Sequence, residues 1–172
     1  MLAKMTALVA GGLLGALTPL HAGSGPPPRS RSQCPEERSN LQSVQSAFVR
    51  WSAGGSVFEG LLAEDVVWTI HGSGPVAGTY KGLRDFTENA ARPLVSRLAT
   101  PLVPSVHFIV SDCDRVIVRF GAAARTTLGQ PYRNEFVWIF RMAAGQVVEA
   151  EAFLDLVAYQ RVIESSGSHC KK

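Results

Sequence analysis

Carboxylates, one histidine, a phenol and an indole are the side chains here that could do chemistry, and most sit in or beside short runs of β-forming residues. In 147–155 the residues Glu149, Glu151, Phe153 and Asp155 alternate with Val148, Ala150, Ala152 and Leu154. Strand geometry sends these two sets to opposite faces, so the carboxyls share a side. A carboxyl held in an apolar cavity has its charged form penalised, and its pKa rises toward the range useful for proton transfer. Such a group takes a proton from beside a carbonyl or gives one to a leaving oxygen. The plain alternative for Asp155 is a helix cap, its oxygens accepting the free amides of the segment that follows. His71 closes an earlier apolar run beside the glycine loop Gly72 to Pro75. Its imidazole could orient a substrate or share a proton. Tyr80 offers a phenol for an oxyanion. Trp68 offers a ring for stacking, with core packing as the plainer role.

Other chemistries are excluded by what the chain lacks. There is no CxxC and no Cys/His spacing suited to zinc or redox work. No phosphate loop or nucleotide fingerprint occurs either, so no cofactor and no metal are expected. Seventeen Lys+Arg against fourteen Asp+Glu give a net charge of +3, and the only adjacent basic pair is Lys171 and Lys172. That is too thin for tracking phosphates, so nucleic acid is not an expected partner. With 172 residues, 46% hydrophobic and 18% charged, the chain has the composition of one globular domain.

The ends read differently from the middle. Residues 1–22 begin with one cation, Lys4, continue through the apolar run Met5 to Leu17 and end at Ala22, the pattern of a secretory signal peptide. The run falls short of the roughly 20 residues that span a bilayer, so no stable membrane insertion is expected after cleavage. Export to the periplasm or medium follows as an expectation. Residues 23–38, rich in Pro, Ser and Arg, read as an extended linker. Residues 166–172 are a short tail. Cys34, Cys113 and Cys170 would then meet an oxidising compartment, and the Cys34 to Cys170 pairing closes the longest loop.

Between those ends, 39–165, the elements fall in a fixed order. Leu41, Val44, Ala47, Phe48 and Trp51 recur at helical spacing and predict a helix over 39–53. A second short helix is predicted over 57–63, with Ser56 as its cap. Strands follow at 65–71 and 77–80, then a helix over 82–99 that Pro93 must kink or restart. From 105 onward the chain is nearly all strand, at 105–111, 115–127, 133–142 and 146–157, joined by short turns as an antiparallel meander. A last helix spans 156–165. Helices set apart from antiparallel strands make an α+β fold.

The segments LLAEDVVWTIHGSGPVAGTYKG at 61–82 and GQPYRNEFVWIFRMAAGQVVEAEAFLD at 129–155, in this order of elements, resemble the SnoaL-like branch of the nuclear transport factor 2-like superfamily. The resemblance implies a cone-shaped, curved antiparallel sheet wrapped around three N-terminal helices, with an internal pocket. It also implies a range of activities: ketosteroid isomerases, polyketide cyclases, epoxide hydrolases, dehydratases and proteins with no reaction assigned. An ungapped count against the epoxide hydrolases places their last pocket aspartate at Asp155. That makes the odd positions the pocket side, with Val137, Ile139, Glu151 and Phe153 as lining beside Trp68 and Tyr80, and Asp155 and His71 as the catalytic pair. The same count puts that family's Arg-x-Asp pair on Ala122 and Ala124, which disfavours water activation. Two readings follow. One is a cofactor-free isomerase, cyclase or lyase moving a proton on an apolar carbonyl compound; the other is a binding protein for a hydrophobic small ligand. The strand 133–142 is apolar on both faces, which predicts a homodimer through the outer face of the sheet.

Overall fold

The computed structural model describes residues 34–165. The expected signal segment, the first part of the linker, the tail and Cys170 lie outside them. Helix α1, Glu37–Ser52, buries Asn40, Val44, Ala47 and Phe48 on one face, as the apolar spacing requires. Gly54, at φ 93°, turns the chain away from it. The helix expected over 57–63 is instead a pair of turns. The Ser56 hydroxyl accepts from the Phe58 amide at 3.2 Å, and Leu61 and Leu62 both donate to the Phe58 carbonyl. Gly60, at φ 71°, ends the turn before a helix can propagate.

Strand β1, Leu62–Ile70, then starts three residues earlier than expected and pairs antiparallel with the short β2, Gly78–Lys81. The next helical stretch has three parts: α2, Leu83–Phe86; a π-helical turn, Thr87–Ala91; and α3, Arg92–Val95. Pro93 explains the break. A proline ring inside an α-helix collides with the carbonyl four residues back, and the wider turn before it relieves that clash.

Strands β3, Val103–Asp112, β4, Arg115–Arg125, β5, Pro131–Ala143, and β6, Gln146–Leu154, form the expected meander. Helix α4, Leu156–Glu164, follows directly. The sheet order is β2-β1-β6-β5-β4-β3, and β1 pairs with β6 in parallel, with Trp68 beside Ala150 and Ile70 beside Ala152. The expectation of a wholly antiparallel sheet is corrected accordingly: the last strand enters the middle of the sheet beside the first. The helices are likewise not all N-terminal, since α4 closes the fold from the other end of the chain. The fold is α+β, a curved and unclosed cone of sheet holding the helices. Register shifts at Val106/Phe108 and Arg141/Met142 add local bend.

The inner face carries the core. Val116, Val118 and Phe120 of β4, with Phe140 and Met142 of β5, are almost fully buried against Val44, Ala47 and Phe48 of α1. Aromatic rings interlock beside them, Phe48 lying edge-on to both Phe120 and Trp138. Cys34 is joined to Cys113, 79 residues away in the turn between β3 and β4. The expected Cys34 to Cys170 pairing is therefore replaced by one that fastens the start of α1 to the far edge of the sheet. The linker expected through residue 38 accordingly ends sooner, since the disulfide begins at Cys34 and α1 at Glu37. Among the described residues no helix is long and apolar enough to cross a membrane.

Candidate ligand-binding cavity

Below the interlocked rings the inner face opens into a cavity of about 510 Å³. Its floor and walls are Trp68 and Ile70 of β1, Phe136 and Trp138 of β5, and Ala152 and Leu154 of β6. The two central strands explain why a space exists there. Trp138 stands directly across from Ala152, so beside this ring β6 offers only a methyl group and leaves space. Helical residues close the other side: Phe86, the π turn, Leu94 and Val95, with Tyr159 reaching in from α4. Trp51, the loop Gly54 to Phe58, Pro101 and Leu102 complete the wall.

The lining is aromatic and nearly without polar chemistry. Trp68 stacks on Phe86 at 4.0 Å between ring centres and stands edge-on to Trp138 at 5.2 Å. Trp51 lies parallel to Trp138 at 5.9 Å. The Trp68 indole nitrogen is buried and has no hydrogen-bond acceptor among the described residues. Tyr159 donates its hydroxyl to the Ala90 carbonyl at 2.8 Å, tying α4 to the π turn. Burial pushes this phenol up to about 12, so it stays neutral and serves as a strut. Among the described residues that line the cavity there is no carboxylate, imidazole or lysine. One charged side chain borders it, Arg92.

The expected site residues separate into two groups. Trp68 lines the cavity as anticipated. Val137, Ile139, Glu151 and Phe153 are on the opposite, outer face, because the even positions of β5 and β6 are the ones turned inward. Asp155 is exposed and caps α4, its Oδ1 accepting from the amides of Val157 at 2.9 Å and Ala158 at 3.0 Å. Asn134 fixes it there: the Asn134 side chain accepts from the Asp155 amide and donates to the Asp155 carbonyl, both at 2.9 Å. The pocket placement of Asp155 is thus corrected in favour of the plain alternative. His71 is not brought to Asp155. Its Nε2 meets Glu151 Oε2 at 2.9 Å on the outer face, and its ring stacks on Phe153 at 4.6 Å. Tyr80 packs against the edge of the core, outside the cavity, with its hydroxyl given to the Val76 carbonyl. Burial and the nearby Asp85 charge raise its pKa.

Cavity residues from the π turn and from the loop at Gly54 were not anticipated from the sequence. One signal for the correct face was present. In 132–142 the largest apolar residues, Tyr132, Phe136, Trp138, Phe140 and Met142, are all even, while Arg133, Glu135 and Arg141 are odd. At the positions matching the epoxide hydrolase Arg-x-Asp pair stand Ala122 and Ala124, and Arg119 is turned outward onto Glu135 at 3.0 Å.

The model of the SnoaL-like domain matches residues 45–150, more than half of the chain. The chain belongs to the SnoaL-like domain family. Solved structures share its fold. Bal32a, from a soil-derived mobile gene cassette, is 19% identical with a TM-score of 0.62 over 74% of this chain and 98% of its own. A Jannaschia sp. CCS1 protein whose name proposes a SnoaL-like polyketide cyclase is 21% identical, with a TM-score of 0.61 over 80% and 98%. TerC, co-crystallised with polyporic acid, is 21% identical with a TM-score of 0.58 over 73% and 98%. No curated protein matches by sequence. This SnoaL-like chain thus has the pocket fold found in isomerase- and cyclase-type proteins.

Proposed function

We propose that the protein captures a flat, apolar small molecule in the aromatic cavity, and that capture rather than proton transfer is its activity. The observation that carries this reading is a space of about 510 Å³ walled by Trp51, Trp68, Phe86, Phe136 and Trp138, with no carboxylate, imidazole or lysine among the described lining residues. Ring faces and edges at these spacings hold a planar guest by stacking and edge contacts. The isomerase, cyclase or lyase reading with Asp155 as proton carrier loses support, because that carboxylate is engaged as a cap outside the cavity. Export to an oxidising compartment is supported by the Cys34 to Cys113 disulfide. A homodimer is supported by the outer sheet face, where Phe108, Val110 and Phe153 are exposed and Arg119 pairs with Glu135 and Arg141 with Glu149 within the chain.

Titration with the neutral probe anthracene-2-methanol tests the reading, because three tryptophans border the cavity and report occupancy by their fluorescence. Saturable quenching, weakened at least tenfold by the cavity-filling change Ala152→Phe in a protein of unchanged circular dichroism, is expected. Absence of saturable binding refutes the reading. So does α-proton exchange of 2-tetralone, followed by deuterium incorporation, at a hundred times the buffer rate.

A further inference from the structure

We infer that the ligand of this cavity is an aromatic acid, whose ring system lies among the tryptophans and whose carboxylate is held at the mouth by Arg92. This inference rests on the small-molecule reading above and adds the ligand's charge to it. Arg92 is the charged side chain bordering the cavity, and it is exposed, which puts its guanidinium at the rim and not in the interior. It forms no ion pair with any carboxylate of the described residues; Arg84, Arg133 and Arg161 are also without one, but of these only Arg92 borders the cavity. A guanidinium with no side-chain partner among the described residues, beside an apolar hollow, matches a planar carboxylate in charge and in fork geometry.

The backbone explains how Arg92 comes to be there. In a continuous α-helix, five residues turn through roughly 500°, leaving Arg92 about 140° around the axis from Thr87 and facing away from the cavity. The π turn changes this. The Arg92 amide donates to the Thr87 carbonyl, five residues back, so Arg92 stacks one turn above Thr87 and both border the cavity. Glu88, four residues before Arg92, forms no ion pair with it. A wide turn set by Pro93 therefore brings the cation to the border of the cavity.

The test compares two fluorescence-active probes of one ring system, anthracene-2-carboxylate and anthracene-2-methanol, on wild type, Arg92→Gln and Arg92→Lys at low and high salt. Wild type is expected to prefer the acid by about three- to tenfold at low salt, in line with one partly exposed charge-assisted contact. The preference should vanish in Arg92→Gln, survive in part in Arg92→Lys and shrink at high salt, while the alcohol binds all three proteins alike. Equal binding of acid and alcohol to wild type, or an acid preference unchanged in Arg92→Gln, overturns the inference and leaves the cavity reading standing. Failure of both probes to bind wild type overturns both.

Discussion

Replacing Asp155 by alanine removes the one oxygen that accepts from both Val157 and Ala158, at 2.9 and 3.0 Å. Loss of such a cap costs about 1 kcal/mol, and loss of the negative charge at the positive end of α4 adds a few tenths. The Asp155 backbone stays clamped by Asn134, so the strand end does not move and the effect is confined to α4. The expected total is about 1 to 1.5 kcal/mol for Asp155→Ala, or a fall in Tm of about 3 to 8 °C. Asp155→Asn keeps an oxygen in place and should lose only about 0.3 to 0.5 kcal/mol, the charge contribution alone. Scanning calorimetry and urea unfolding measure both variants, and the anthracene titration is repeated on each. Affinity should stay within about twofold of wild type, because the carboxylate lies outside the cavity. An Asp155→Asn protein with normal Tm and no probe binding would mean that the carboxylate reaches the ligand, and the reasoning would fail. An Asp155→Ala protein with an unchanged Tm would show that the cap contributes nothing.

Reducing the Cys34 to Cys113 bond, or the change Cys113→Ser, should lower stability by about 2 to 4 kcal/mol, since the bond closes a long loop in the unfolded chain; denaturant titration with and without reductant reads this directly. Burial, followed by the charge of Asp155, pushes Tyr132 up to about 12 against an opposing hydrogen bond from Asn134, and the folded form keeps the phenol neutral. Its folded pKa lies above its unfolded one, so this contribution is fully present below pH 10 and is lost between roughly pH 10 and 12. About 2 to 3 kcal/mol is involved for Tyr132, with Tyr159 acting in the same direction, and alkaline unfolding curves check it. Light scattering after size exclusion should find a dimer at micromolar concentration, and Val137→Glu on the outer face should return it to monomer with its melting curve shifted but still cooperative; a monomeric wild type removes the dimer.

Most of the architecture was legible because it is written in periodicity. The 3.6-residue spacing of Leu41, Val44, Phe48 and Trp51 and the alternation along 131–143 leave little freedom in where α1 and β5 lie. The parallel contact of β1 with β6 was not legible, because strand pairing between distant segments carries no local pattern. The helix expected at 57–63 failed for a local reason, Gly60 in a left-handed conformation. The site failed for a different one. An ungapped count against a family set the parity of β6, and one residue of offset exchanges every inward side chain for an outward one. The burial pattern of β5, read across the register to β6, carried the right answer: where Trp138 is inside, Ala152 is inside, and Glu151 and Phe153 are not.

Because β6 is both the final strand and a central one, the N-terminal hairpin and the β3 to β5 ribbon have no contact across the sheet until the ribosome has released the residues through Leu154. During synthesis each half exposes a bare edge, β1 on one side and β5 on the other, and the cavity has no floor on the β6 side. A nascent chain arrested before Gln146 should thus be a substrate for chaperones and for intermolecular strand addition, and completing nine residues converts it into a container.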